Sequence, residues 1–336
     1  MSPPFDGTNP NGVGASPLRK EDARHLAGRG LFVSDIPPGN VWEAAIVRSP
    51  VAHGYLRGID VSAVPAGCHV LSAADFPDIG AIRAVPRVPG FKASDFPVFA
   101  TDKVRYVGQP IAICLAPTRA DAEDIVQTIP IDIDELPAVI DMRDATTRKD
   151  PLIHESWGDN VYIEREVTGG DIDAARKAAE ITVTNEFRLN RHAAIPLEGR
   201  AALATWDSRR DELTLNMATQ GPHLMRVGIA EILGLKERQL RLVSPDVGGG
   251  FGSKNRLMPE EIMVAAAALK TGRPVRWLED RRENITANNQ AREHWYRITA
   301  HAEKSGRILG IEAELIVDAG SYSIWPSGPF METGMA

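Results

Sequence analysis

Residues 104–141 read VRYVGQPIAICLAPTRADAEDIVQTIPIDIDELPAVID, and three different periodicities follow one another along them. VRYVGQPIAICLA (104–116) is a near-continuous apolar, β-branched run, the pattern of a strand. TRADAEDIVQTI (118–129) has helical periodicity with its acids early, and IPIDIDELPAVID (129–141) alternates apolar and acidic residues. This predicts a strand, a helix and a half-buried strand. In the last strand Asp132 and Asp134 share one face; a metal pair uses that spacing, but further ligands are missing and a solvated face satisfies the same pattern.

Working outward, RSPVAHGYLRGID (48–60) and CHVLSAADF (68–76) read as short strands and turns. Residues 142–160, MRDATTRKDPLIHESWGDN, are polar, turn-rich and without period. The division expected from this is a flexible leader at 1–17, a first domain at 18–145, a linker at 146–160 and a second domain at 161–336. In the second domain Asp171 is placed to cap a helix reaching Ala179, and EITVTNEFRL (180–189) then reads as a strand. AALATWD and ELTLNMATQ form a hairpin pattern across DSRRDE (207–212). PHLMRVGIAEILG (222–234) reads as a helix with Pro222 in its first turn and Gly234 at its end. Strand QLRLVS (239–244) leads into a glycine-rich loop, and helix PEEIMVAAAALKTG (259–272) leaves it, with Glu260 and Glu261 suited to the positive helix start. RPVRWLED, WYRITAHAE and ILGIEAELIVDAG are strand-like, so the second domain is α+β.

The totals narrow the function classes. At 336 residues the chain is long enough for two ordinary domains, and a net charge of −7 argues against a nucleic-acid surface. Cys68 and Cys114 have no C-x-x-C spacing, so this chain builds neither a zinc site nor an iron–sulfur cluster, and both are expected as buried thiols. The N-terminus has no basic or apolar signal region, and no apolar run reaches membrane-span length, which predicts a cytoplasmic protein.

The glycine loop, PDVGGGFGSKN (245–255), carries the chemistry. Gly248, Gly249, Gly250 and Gly252 have no Cβ, so the loop reaches positive φ and its amides approach a ligand closely. A Walker A loop fails here, because Lys254 is followed by Asn255 and not by a hydroxyl residue; the G-x-G-x-x-G fingerprint fails at Ser253 and Asn255. An anionic cofactor edge and a tight structural turn both remain open. Gln220, in ATQGPH (218–223), lies where a strand passes into a helix and offers an amide donor and acceptor there.

TQGPH, PDVGGGFGSK, KTGRPVRWLEDRRE and VDAGSYS, in this order and spacing, resemble the molybdenum-binding subunit of the xanthine dehydrogenase, aldehyde oxidase and carbon monoxide dehydrogenase family. RKEDARHLAGRGLFVSDI, AAIVRSPVAHGYLRGID, VRYVGQPIAICLA and IDIDELPAVID resemble that family's α/β hammerhead domain, so the resemblance runs from about Leu18 onward. It implies an α+β chain: a hammerhead domain, then the first part of a molybdopterin-binding domain. It also implies a molybdopterin, in the cytosine dinucleotide form, whose molybdenum has no direct protein ligand. Hydroxylation of an aldehyde or N-heterocycle with oxygen from water would then send electrons to 2Fe-2S clusters and FAD on partner subunits.

By the same resemblance, Gln220, with Gly221 beside it, matches the glutamine that hydrogen-bonds a molybdenum oxygen ligand. Gly249, Gly250, Phe251 and Gly252 match the loop packed against the metal's apical side and the pterin, with Phe251 excluding water on the substrate side. Asn255 stands where purine oxidisers have a glutamate, which counts against xanthine as substrate. The family's Glu-Pro-Arg appears as Glu198, Gly199 and Arg200, a segment expected to be structural. The chain stops at SGPFMETGMA, before the family's general base, so either a second molybdenum-domain polypeptide completes the site, with Ala336 and the apolar YSIWP segment against it, or the chain is a fragment. Asp246 and Glu260 flank the loop and are expected to serve turn and helix-start electrostatics. His192 and His223 are expected as structural groups, EDRRE (279–283) as a solvated, salt-bridged face, and Arg281 and Arg282 as weaker candidates for a cofactor phosphate. A non-catalytic scaffold subunit with the family fold is the rival expectation.

Overall fold

The structure, a computed structural model, describes residues 13–15, 17–37, 39–84 and 88–325. Most of the expected leader and the chain end at Ala336 lie outside them. The first part contains helix α1 (Asp22–Leu26), strands β1 (Trp42–Arg48), β2 (Gly54–Ile59), β3 (His69–Ser72) and β4 (Pro110–Ala116), helix α2 (Arg119–Thr128), strand β5 (Ile131–Glu135) and helix α3 (Met142–Thr147). The second contains α4 (Ile172–Ala178), β6 (Ile181–Leu189), β7 (Ala201–Asp207), β8 (Glu212–Met217), α5 (Pro222–Ile232), β9 (Leu240–Val243), α6 (Pro259–Thr271), β10 (Val275–Leu278), α7 (Arg281–Thr286), β11 (His294–Ala302) and β12 (Ile308–Val317).

The apolar run at 104–116 yields β4, buried at every position. From Ala112 onward its side chains divide by alternation: Ile113 and Leu115 enter one core, and Ala112, Cys114 and Ala116 enter another. β1 divides likewise, with Ala44 and Ile46 on one side and Ala45 and Val47 on the other. A strand covered on both faces loses the polar half of its alternation, which is why the run reads as continuous. α2 follows, capped by Thr118, whose side chain accepts from Asp121 N at 3.1 Å, and β5 is half-buried.

β1 and β4 lie within a mixed seven-stranded sheet of order β9-β8-β7-β10-β1-β4-β3. β1 pairs parallel with β10, Trp42 opposite Val275, and antiparallel with β4, Ala45 opposite Cys114. Strands from both sides of residues 146–160 therefore share one sheet. α5 and α6 cover one face, supplying Met225, Ile229, Ile262, Met263 and Val264 to the larger core, and α2 covers β1 and β4 on the other. α6 is buried from Pro259 to Ala268, so its apolar residues run all round it. The expected hairpin is β7–β8, with Asp207 opposite Glu212.

A separate antiparallel sheet has the order β12-β11-β6. α4, capped by Asp171 accepting from Ala174 N at 2.9 Å, packs on one face of it. A Cβ on Gly310 of β12 would lie 2.8 Å from Ala175 Cβ, so glycine permits this contact.

Two expectations need adjustment, those for Cys68 and for the run EDRRE. Cys114 is buried, and desolvation pushes its thiol up to about 12, but Cys68 is only half-buried. Asp134 pairs with Arg57, and among the described residues no cluster of three potential metal ligands occurs. The run EDRRE is salt-bridged as expected but solvated only at Arg281 and Arg282: Glu279 is buried, and Asp280 caps α7 by accepting from Glu283 N at 2.6 Å. No described helix is long and apolar enough to cross a membrane.

Candidate cofactor site

β8 and β9 are parallel neighbours, Leu215 opposite Leu242, and each passes at its C-terminal end into a loop and then a helix. The Gln220 turn and the glycine loop therefore leave the same edge of the sheet side by side. Gln220 N donates to Lys254 O at 3.1 Å and Thr219 Oγ1 to the same oxygen at 3.0 Å, so the two loops share an acceptor. Gly252 N donates to Gln220 Oε1 at 3.1 Å. That bond commits the amide oxygen and leaves Gln220 Nε2 as the free donor.

Glycine lets the loops touch as they do. A Cβ on Gly250 would lie 2.5 Å from both Cδ and Oε1 of Gln220, and one on Gly221 would lie 2.5 Å from Asn255 Oδ1. Gly249, Phe251 and Gly252 all have left-handed backbones, with φ of +93°, +50° and +88°. For Phe251 this conformation costs on the order of 1 kcal/mol and persists only because the flanking glycines and bonds enforce it. Among the described residues, the amides of Gly249, Gly250 and Phe251 donate to no protein acceptor. Three successive amides without partners, beside a carboxamide donor, form a donor set suited to anionic or oxo groups.

Gln220, Phe251, Gly252 and Asn255 are exposed, and Phe251 retains 78% of its accessible surface. The loop thus presents an open face, and the aromatic ring stands against Gly249 at its rim.

Beneath the loop lies a buried pair that sequence reasoning did not assign. Lys254 is 1% exposed, and its Nζ donates to Glu198 Oε2 at 2.7 Å. The same carboxylate accepts from Gly248 N at 2.7 Å. Burial lowers the Lys254 pKa, and Glu198 opposes that shift. A lysine between a glycine loop and a largely apolar helix is the sequence signal that a charge partner had to be buried nearby.

Arg200 lies deeper, also buried. It donates from Nε to Glu279 Oε1 at 2.8 Å and from both terminal nitrogens to Glu260, at 2.8 and 3.1 Å. Arg48 of β1 reaches the same Glu260 at 2.7 Å and Glu283 at 2.9 Å. Glu260 thus lies in the first turn of α6 as expected, but buried and paired with Arg200 and Arg48. Burial opposes its ionisation, but Arg200 and Arg48 outweigh it and hold the carboxyl well below its ordinary range. Glu261, beside it, is raised to about 7 by burial, with Arg200 opposing incompletely. Gly199 has its own steric reason: a Cβ there would meet Glu279 O at 2.6 Å.

Asp246 does not act within its own turn. It pairs with Arg24 of α1, with Nη2 to Oδ1 at 2.6 Å, and accepts from Leu31 N at 2.6 Å, so it straps the N-terminal segment beside the glycine loop. The Arg24 bond, then the Leu31 amide, hold its carboxyl far below the usual range. Arg281 donates from Nη2 to Pro196 O at 2.7 Å and Leu197 O at 3.0 Å, and both Arg281 and Arg282 are exposed. His192, in a two-residue pairing with Gln290–Ala291, and His223, at the start of α5, are exposed and take no part in these contacts.

Comparison with known proteins agrees with this architecture. Residues 153–336 match the molybdopterin cofactor-binding domain, and residues 27–137 match the aldehyde oxidase and xanthine dehydrogenase a/b hammerhead domain. The chain is 37% identical over 320 residues to the nicotine 6-hydroxylase large subunit of Paenarthrobacter nicotinovorans, covering 94% of this chain and 39% of that one. It is 28% identical over 324 residues to the nicotinate dehydrogenase large molybdopterin subunit of Eubacterium barkeri, covering 96% and 73% respectively. It superimposes on quinoline 2-oxidoreductase from Pseudomonas putida 86 with a TM-score of 0.89 at 33% identity, covering 93% of this chain and 40% of that one. The chain thus spans about two fifths of the nicotine and quinoline enzymes' chains. With both domain types present in this order, the chain belongs to the family of molybdopterin-binding large subunits of the xanthine dehydrogenases, aldehyde oxidases and carbon monoxide dehydrogenases.

Proposed function

We propose that this chain forms one wall of the cofactor site in a heteromeric molybdenum hydroxylase that oxidises an aldehyde or an N-heterocycle. The observation that carries this is the junction of the two loops: Gln220 lies across Gly250 with no room for a Cβ, and Gly252 N holds its Oε1. Bound molybdopterin supplies two-electron redox chemistry by which a carbon is hydroxylated with oxygen drawn from water.

The residues present fit such a group. Gln220 Nε2, oriented by the Gly252 bond, donates to an oxygen on the bound cofactor. The amides of Gly249, Gly250 and Phe251 donate beside it, and Gly221, against Asn255, lets the backbone approach closely. Phe251 excludes water from the substrate side once the face is covered. Asn255 presents a neutral amide there, which favours a substrate that exchanges no proton at that position. The dinucleotide is the cytosine form, electrons leave through partner subunits bearing 2Fe-2S clusters and FAD, and the complex is cytoplasmic. The domains divide as 18–145 and 161–336, joined by 146–160. The catalytic glutamate lies outside the described residues in this reading, because the acids beside the loop, Asp246, Glu198 and Glu260, are each paired with cations.

Metal and pterin analysis of the purified complex tests the proposal, with near-stoichiometric molybdenum expected. Gln220→Ala and Phe251→Ala separate a catalytic from a scaffolding role. Loss of turnover in either supports catalysis, and unchanged turnover and cofactor content in both would establish the scaffold.

A further inference from the structure

The segment that runs from α1 to Ile36 touches the roots of both loops of the cofactor site. Its later part is anchored by packing. Val33 is fully buried and shares a core cluster with Ala201 and Leu203 of β7 and with Ala218, the residue that leads from β8 into the Gln220 turn. Arg276 Nη1 donates to Ser34 O and Ile36 O at 3.3 Å each, which ties this part to β10. α1 is attached differently. None of its residues is buried, and Leu26 is 89% exposed. Among the described residues, the side-chain hydrogen bonds that α1 sends outside its own segment all end on Asp246. Arg24 holds both oxygens of that carboxylate, with Nη2 to Oδ1 at 2.6 Å and Nη1 to Oδ2, and His25 Nε2 stands 3.7 Å from Oδ1. Leu31 completes the junction: its N–H donates to Asp246 Oδ2 at 2.6 Å, and its carbonyl accepts from Asp246 N at 2.9 Å. A Cβ on Gly30 would lie 3.1 Å from the Phe32 ring and 3.2 Å from His25 Nδ1, so the chain passes tightly there.

We propose that Arg24 is a positioning residue for the cofactor cradle, acting through Asp246; this rests on the functional reading above. Asp246 stands two residues before Gly248, at the entry to the glycine loop. Beyond it, Gly248 N is held by Glu198 and Gly252 N by Gln220. The amides of Gly249, Gly250 and Phe251 lie between those two points and are the donors offered to the cofactor. Their directions depend on fixed ends, because the left-handed backbone at Phe251 persists only where its surroundings enforce it. A bidentate guanidinium–carboxylate pair fixes the orientation of both partners, whereas a point charge fixes little more than their distance. Without Arg24 the Asp246 carboxylate keeps the Leu31 amide as its donor and is free to turn about that bond. α1 then loses its bonded attachment, and the entry to the loop gains motion that reaches the three amides.

The purified complex carrying Arg24→Met tests this against wild type. Amide hydrogen exchange at 248–252 is expected to rise about tenfold, the scale of one lost charge-assisted hydrogen bond. Molybdenum and pterin should leave the complex severalfold faster on dilution, and the electron paramagnetic resonance signal of the bound molybdenum in the partly reduced complex should shift. The thermal midpoint should stay near wild type, because α1 buries no residue. Unchanged exchange overturns the proposal. So does raised exchange with an unaltered resonance signal and release rate, since a merely structural strap would give that result. Should Arg24→Met fail to assemble, Arg24→Lys decides, because it keeps the charge and loses the fork: exchange and signal intermediate between wild type and Asp246→Asn support the proposal, and wild-type values in both overturn it. Molybdenum and pterin content are measured first on the wild-type complex. Their absence defeats the functional reading alone, and the exchange comparison then still decides whether Arg24 holds the loop; a cofactor-loaded wild type with unaltered exchange in the variant defeats the positioning role alone.

Discussion

Replacing Lys254 by Met tests whether the pair beneath the glycine loop holds it as a single unit. Lys254 Nζ lies 2.7 Å from Glu198 Oε2, and that oxygen also accepts from Gly248 N, so one carboxylate ties position 248 to position 254. The backbone oxygen of Lys254 meanwhile accepts from Gln220 N and Thr219 Oγ1. Met restores most of the stem's volume but strands the carboxylate, and breaking a buried pair costs about 3–5 kcal/mol. Two features reduce that figure. Glu198 retains 16% of its side-chain exposure, and the desolvation penalty of the ammonium disappears along with it. A loss of about 2 kcal/mol is expected. Glu198→Gln keeps an acceptor for Gly248 N but strands the ammonium, at a similar cost of about 2 kcal/mol. The double variant strands neither charge, so its loss should fall short of the summed single losses by about 1–2 kcal/mol. Denaturant unfolding of the four proteins gives the cycle, and hydrogen exchange over 246–256 reports loosening of the loop. Additivity within about 0.5 kcal/mol, or unaltered exchange in the loop, refutes the reasoning.

Gly250→Ala places a methyl 2.5 Å from Gln220 Cδ; the exposed Gln220 swings away at a stability cost of about 1 kcal/mol, yet molybdenum and pterin content should fall severalfold. Full cofactor content in that variant counts against the cradle. Arg200→Met leaves Glu260 and Glu279 with fewer counter-charges and should cost about 3–5 kcal/mol at neutral pH. Glu260 contributes stability above its unfolded pKa of about 4.5, lost as pH falls through its depressed folded value. Without Arg200 burial carries its carboxyl upward, so the variant's deficit in thermal midpoint should shrink between pH 8 and pH 5, and a pH-independent deficit contradicts this. Glu261 has the opposite sign: its folded pKa is raised from 4.5 to about 7, so its ionisation destabilises the fold as pH rises through that window. Glu261→Gln should therefore stabilise the protein at pH 8 by at most about 3 kcal/mol, with the gain vanishing below pH 5, as thermal melts at the two values will show.

The sequence by itself determined the elements whose pattern is local. Residues 104–141 carry their strand, helix and strand in three distinct periods, and Asp171, Pro222 and Gly272 mark helix ends because capping and left-handed termination are single-residue properties. The glycine loop and Gln220 were likewise legible as candidates, since positive φ and a free carboxamide belong to residue types. Tertiary structure alone decided what those residues touch. EDRRE looked solvated because a charge run is usually a surface face, but register puts Glu279 next to Arg200, 79 positions away, in a core where it must be ionically matched. Glu260 and Asp246 resembled local electrostatic residues until packing brought Arg48 and Arg24 to them from more than 200 residues upstream. β6 showed the same limit: its sequence reads as a strand, and only the packing of α4 established which face is covered among the described residues. A sequence period reports how a segment meets its surroundings, whereas the identity of those surroundings is fixed by long-range register and by the requirement that buried charges be paired.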